Sequence, residues 1–191
     1  MLNENNKKYD EKENKEPFIP IHLSKYCLYS VQIILFTSFI AFFCNYKVLS
    51  LLLLCLYITS SLFWINPIYG IKKYIDQFFV VIVLSYLTYL SFGFKKIYKK
   101  IWIITFISVV IIGILNQLIF YYKIARIFTK ESYKNEGLIN KSEYSYFNLD
   151  YTYPNTEERE KTCLYNIIIH CFCIHIVPSV VGSICIIQNS L

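Results

Sequence analysis

Groups able to do acid–base or ligand chemistry are few in this chain, and they lie in apolar surroundings. The densest set falls in the last third: Cys163, Asn166, His170, Cys171, Cys173 and His175. On a regular helix Cys163, Asn166, His170 and Cys173 share one face, while Cys171 and His175 share another. Such a helix presents its two histidines to different neighbours. A tetrahedral metal site needs three or four nitrogen or sulfur ligands, and the other apolar stretches supply no histidine, His22 lying ahead of the first of them. No metal and no cofactor is therefore expected, and His170 and His175 read as polar packing groups. The remaining pair with catalytic character is Ser60 and Asp76, a hydroxyl and a carboxylate on either side of a polar interruption.

That interruption is the stretch TSSLFWINPIYGIKKYID, residues 59–76. Pro67 cannot continue a helix and biases Asn66 toward extended dihedrals, so a helix must end near Trp64. An indole at that point suits the headgroup level. Gly70 permits a second change of direction, Lys72 and Lys73 hold the segment at the membrane surface, and Asp76 is expected at the start of the next helix, where a carboxylate complements the dipole. Pro67→Ala is then expected to disturb folding more than Phe63→Ala.

The pattern Ser60, Trp64, Pro67, Gly70, a basic residue at Lys72 or Lys73, and Asp76 resembles a hinge of uncharacterised multi-pass membrane proteins of large DNA viruses of protists. In those proteins a histidine precedes the tryptophan and a later helix carries a histidine followed by small residues; here the positions hold Phe63, and His175 with Gly182. A second resemblance, to alkaline ceramidases and the hydrolases related to adiponectin receptors, lies in Ser60 and Asp76. It implies an intramembrane lipid hydrolase with Ser60, Asp76, His170 and His175 as candidate catalytic residues. The chain departs from that pattern at Phe63, in the i,i+5 spacing of His170 and His175, and in having fewer spans.

The elements that must position these residues follow from where charge is absent. Stretches 27–45, 48–71, 77–94, 101–122 and 162–191 contain no Asp, Glu, Lys or Arg. A hydrocarbon layer of about 30 Å takes roughly 20 helical residues, so the chain reads as an all-α polytopic membrane protein with five transmembrane helices, at about 26–44, 48–64, 78–94, 101–122 and 163–187. Residues 1–24 are polar and are expected to be a disordered tail. Their composition lacks the apolar core of a cleavable signal peptide. Residues 123–161 form a polar, Tyr-rich loop with an acceptor sequon at Asn140, and the charged run 157–161 is expected to begin the last helix. All seven cysteines fall in or beside the apolar stretches, where they read as small packing residues and not as a disulfide framework.

Within the spans, Ser50, Tyr57, Ser60, Ser61 and Trp64 make one polar face of the second and should pack inward. Ser85, Thr88 and Tyr89 do likewise on the third, and Gly113, Asn116 and Gln117 on the fourth. Pro178 should bend the last span, and Ser179, Gly182 and Ser183 offer a close-approach surface of the kind that associates helices. Lys95, Lys96, Lys99 and Lys100 form a short basic loop suited to anionic lipid headgroups. A cluster so small, with a net charge of +6 spread over 191 residues, excludes a nucleic-acid partner.

The expected activity is that of a structural or assembly protein packing with itself or with other membrane proteins. A divergent intramembrane lipid hydrolase is the alternative, and a small channel or transporter is more remote because no charge ring or filter-like glycine run is present. The excess of Lys and Arg favours a cytoplasmic N-terminus.

Overall fold

A computed structural model of the chain describes residues 19–68, 70–134 and 157–191, and among these the regular structure is entirely helical. Among the described residues, five helices are long and apolar enough to cross a membrane. The centre of the Tyr-rich loop, its sequon, and the N-terminal tail up to residue 18 lie outside the described residues.

Helix α1, Ile21–Phe43, starts behind Pro20, which has no N–H to leave unpaired. It ends in a Schellman turn. Asn45 adopts a left-handed φ of 67°, its N–H donates to the Phe42 carbonyl, and that of Tyr46 donates to the Ala41 carbonyl at 2.8 Å. Helix α2, Lys47–Ile65, follows at once, so the short link does make an antiparallel hairpin. It stops one residue past Trp64, where Asn66 ahead of Pro67 is extended at φ −145°.

Helix α3 spans Ile71–Ser91, seven residues earlier than its apolar run suggests. The boundary is Gly70, whose φ of 151° belongs to a region that only glycine enters freely. Asp76 therefore lies in the second turn of α3 and not at its start. Helix α4, Lys96–Lys134, begins within the basic cluster. The four lysines are thus not a loop: Lys95 ends the connection, and the other three ride on the first turns of α4, because no glycine or proline there opposes helix.

The last span, Glu157–Ser190, is composite. Helix α5, Glu157–Ile169, opens on the acidic turn Glu157, Glu158 and Glu160, as the charged run suggested. A π-helical turn, His170–Ile176, follows, and α6, Val177–Ser190, carries Pro178 in its first turn. Proline lacks the N–H that would close the α-helical bond there. The ladder widens just before it, and the Val177 N–H donates to the Phe172 carbonyl five residues back.

Each span packs chiefly on two others: α1 on α2 and the last span, α2 on α3, α3 on α4, and α4 on the last span. The bundle is a closed ring of five helices. Its outer surface carries large apolar side chains such as Phe36, Leu51, Val81, Ile111 and Leu118, while Ser24, Thr37, Ser60, Asp76, Asn166 and His175 are buried within. Polar groups inside and hydrocarbon outside is the arrangement a bilayer demands, since lipid offers hydroxyls and amides no partner.

Those partners lie across the helix seams. Ser38 of α1 donates to the Ser50 carbonyl of α2 at 2.8 Å, and Tyr57 donates to Gln32 at 3.3 Å. Trp102 of α4 donates to Thr88 of α3 at 3.1 Å, and Asn116 donates to the Asn166 carbonyl of the last span at 3.2 Å. The polar faces of spans three and four are split by this: Thr88 and Asn116 turn inward, whereas Ser85, Tyr89 and Gln117 are exposed.

The small residues of the last span serve the chain itself. Ser183 donates to Thr37 of α1 at 3.3 Å, and a Cβ added at Gly182 would come within 3.1 Å of Leu87 and 3.4 Å of Trp102. Lys95 closes the far end of the bundle. Its Nζ donates to the Gln188 carbonyl at 3.0 Å and its N–H to Asn189 Oδ1, placing a cation at a helix C-terminus, where the dipole favours it.

Candidate functional site

Because the helices alternate in direction, the first half of α1, the end of α2, the start of α3 and the π-helical turn all lie at one end of the ring. That end gathers the groups named above. Ser60, on the last turns of α2, donates to the carboxylate of Asp76 across the hinge. Both side chains are buried, at 1% and 8% exposure. The bent Asn66–Gly70 connection makes this possible by returning α3 against α2 with Asp76 facing inward.

The histidines meet, contrary to the reading from a regular helix. In the wider π-helical turn, residues five apart lie one above the other. The rings of His170 and His175 pack edge to face with centroids 4.8 Å apart. Trp64 joins them, its ring 5.2 Å from that of His170 and 4.8 Å from that of Phe63. The indole faces into the bundle: it is 5% exposed and walls the cluster.

Two residues of α1 belong to this site without having drawn notice in the sequence. Ser30 Oγ lies 2.7 Å from His175 Nδ1, which orients the imidazole, and 2.9 Å from the Cys27 carbonyl. Cys27 itself is fully buried, with its sulfur 3.5 Å from that of Cys171. A hydroxyl within an unbroken apolar run was the available signal for Ser30.

Ser60 and His175 line one cavity inside the ring. Its wall is otherwise mainly aliphatic, with Ile34, Leu53, Leu56, Val83 and Leu87 among the lining residues, and Trp102 and Pro178 bound it as well. The cavity has a volume of about 50 Å³ and an open mouth. The lining suits hydrocarbon, and the polar groups on it are few and fixed, as in pockets that orient one end of an apolar ligand.

Among the described residues no group of three or more His, Cys, Asp or Glu side chains converges in a way that could hold a metal ion. Three buried donors, Ser61 Oγ, Trp64 Nε1 and Asn166 Nδ2, have no hydrogen-bond partner among the described residues. Such groups are costly to leave unsatisfied and mark places where a bound acceptor or a water fits. All seven cysteines are free thiols.

In comparisons with known proteins the chain matches no family model, no curated protein and no solved structure.

Proposed function

We propose that the chain is an intramembrane lipid hydrolase that takes an acyl chain into the cavity of the helix ring and cleaves the ester or amide bond at its head. One observation carries this reading: Ser60, held on the Asp76 carboxylate, and His175, oriented by Ser30, line the same mostly aliphatic cavity. In acyl transfer a hydroxyl attacks the carbonyl, a base takes its proton and an acid returns one to the leaving group. Asp76, bonded to the Ser60 hydroxyl, takes its proton as Ser60 forms the acyl ester and passes that proton to the departing oxygen or nitrogen, to which His175 is placed to hydrogen-bond. Water then attacks the Ser60 ester, Asp76 relays the water proton to the Ser60 oxygen, and the free carboxylic acid leaves.

The test is turnover of O-acyl and N-acyl fluorogenic lipids by the full chain in liposomes. Ser60→Ala, Asp76→Asn and His175→Gln should each lower the rate by roughly a hundredfold or more while thermal unfolding stays near that of the parent. No turnover of either lipid class by the parent protein would remove the reading.

The assembly reading drew on Ser179, Gly182 and Ser183, and these now have partners or close neighbours within the chain. It retains only the lipid-facing sides of the ring. Headgroup binding at the basic cluster narrows to Lys96 and Lys100, which are exposed, because Lys95 is engaged at the end of the last helix and Lys99 Nζ lies 4.7 Å over the Phe92 ring. The same proposal includes an N-terminus in the cytoplasm, which assigns the polar end of the cavity to the cytoplasmic half of the bilayer.

A further inference from the structure

Cys27 and Cys171 are the one pair of thiols in hydrogen-bonding contact among the described residues, and they join two helices far apart in sequence. The contact is asymmetric. Cys27 is fully buried in α1, whereas Cys171, in the π-helical turn, is half-buried and can be reached from outside the core. The contact adjoins the Ser30–His175 pair, in which Ser30 Oγ sits 2.7 Å from His175 Nδ1. An accessible thiol with a second, buried thiol behind it is the layout of an attacking and a resolving cysteine.

We propose that Cys27 and Cys171 form a reversible disulfide that ties α1 to the π-helical turn, closed by a lipid-soluble hydroperoxide. In the first step the Cys171 sulfur attacks the terminal peroxide oxygen and the O–O bond breaks. The alcohol leaves with a proton, and Cys171 becomes a sulfenic acid. In the second step the Cys27 sulfur attacks the Cys171 sulfur, the S–O bond breaks, and water departs with the Cys27 thiol proton. The balance is two thiols and one hydroperoxide to one disulfide, one alcohol and one water. Two electrons pass from the thiols to the peroxide. The proposal stands on its own contact, whichever reaction the cavity carries.

Closure would fix the seam beside Ser30 and His175, since Ser30 is one helical turn beyond Cys27 and His175 is four residues beyond Cys171. The seam that orients the imidazole would then respond to membrane peroxide.

The experiment uses the full chain, reduced, in nanodiscs. Cumene hydroperoxide is added, the remaining thiols are alkylated at intervals, and peptides are identified by mass spectrometry. The Cys27–Cys171 cross-linked peptide should be the main product and should disappear on treatment with dithiothreitol. Cys171 should lose alkylation at least about tenfold faster than Cys173, which is also half-buried but makes no hydrogen-bonding contact with a thiol among the described residues. Cys27→Ser should leave Cys171 as a dimedone-trappable sulfenic acid. Equal oxidation of Cys171 and Cys173 in the parent chain, or cross-links to other cysteines in its place, would overturn the proposal. Both readings come from the unsubstituted protein, so a variant that fails to fold does not decide the matter.

Discussion

Phe63 and Pro67 show how a residue's meaning changes once its neighbours are known. Along the chain Pro67 looks like the structural member of the pair, because it stops a helix. In the bundle Phe63 is 4% exposed and packs on Trp64, which in turn rests on His170. Truncating a buried aromatic forfeits its transfer energy and leaves a cavity, about 3–5 kcal/mol. Pro67→Ala removes less volume, and Gly70 still supplies the turn. The expected order is therefore the reverse of the one the hinge alone suggests: in detergent unfolding, Phe63→Ala should lower the midpoint more than Pro67→Ala. A larger drop for Pro67→Ala would mean that the bend, and not the aromatic stack, holds the site together. Ser60 and Asp76 were legible as a pair because both flank the same hinge. Ser30 and Cys27 were not, because their roles depend on a helix more than a hundred residues away.

At the scale of elements, the spans were readable because hydrocarbon tolerates so little charge that apolar length alone locates them. Their ends were less so. Ile71–Phe79 is helical despite two lysines and an aspartate, and Lys96–Tyr98 is helical despite its charge, since surface helix needs no apolar run. The π-helical turn was the feature that regular periodicity could not reveal, and it decides whether His170 and His175 meet. Its one sequence signal is Pro178, which forfeits a backbone bond at that depth. Pro178→Ala restores the missing N–H and should let the ladder contract to a regular helix. On a regular helix the two histidines, five residues apart, would point about 140° away from each other. Turnover should fall with little loss in thermal stability. If the variant keeps both its activity and the reactivity of its histidines toward diethyl pyrocarbonate, something other than the proline maintains the wide turn.

For the whole molecule the question is which way the ring faces, since its two ends differ. The hinge and the polar site lie toward one end of the ring; Lys47 and the cluster Lys95–Lys100 lie at the other, with Tyr46 and Lys95 bonded to the end of the last helix. Of the nineteen basic residues of the sequence, five are Lys47, Lys95, Lys96, Lys99 and Lys100, and fourteen fall ahead of the first apolar stretch, at the hinge, and between the fourth and fifth apolar stretches. That imbalance is the ground for the cytoplasmic orientation proposed above. Two features temper the weight of the smaller group. Lys95 is tied to the Gln188 carbonyl and Lys99 lies on an aromatic ring, so both serve the fold. The sequon Asn140-Lys141-Ser142, between the fourth and fifth apolar stretches of the sequence, converts the orientation into a mass measurement. Expressed in a eukaryotic secretory membrane, the chain should remain unglycosylated, and Asn140→Gln should leave its mobility unchanged. A glycosidase-sensitive shift that Asn140→Gln abolishes would put the hinge, the histidines and the mouth of the cavity on the lumenal side, and with them any lipid the site acts upon.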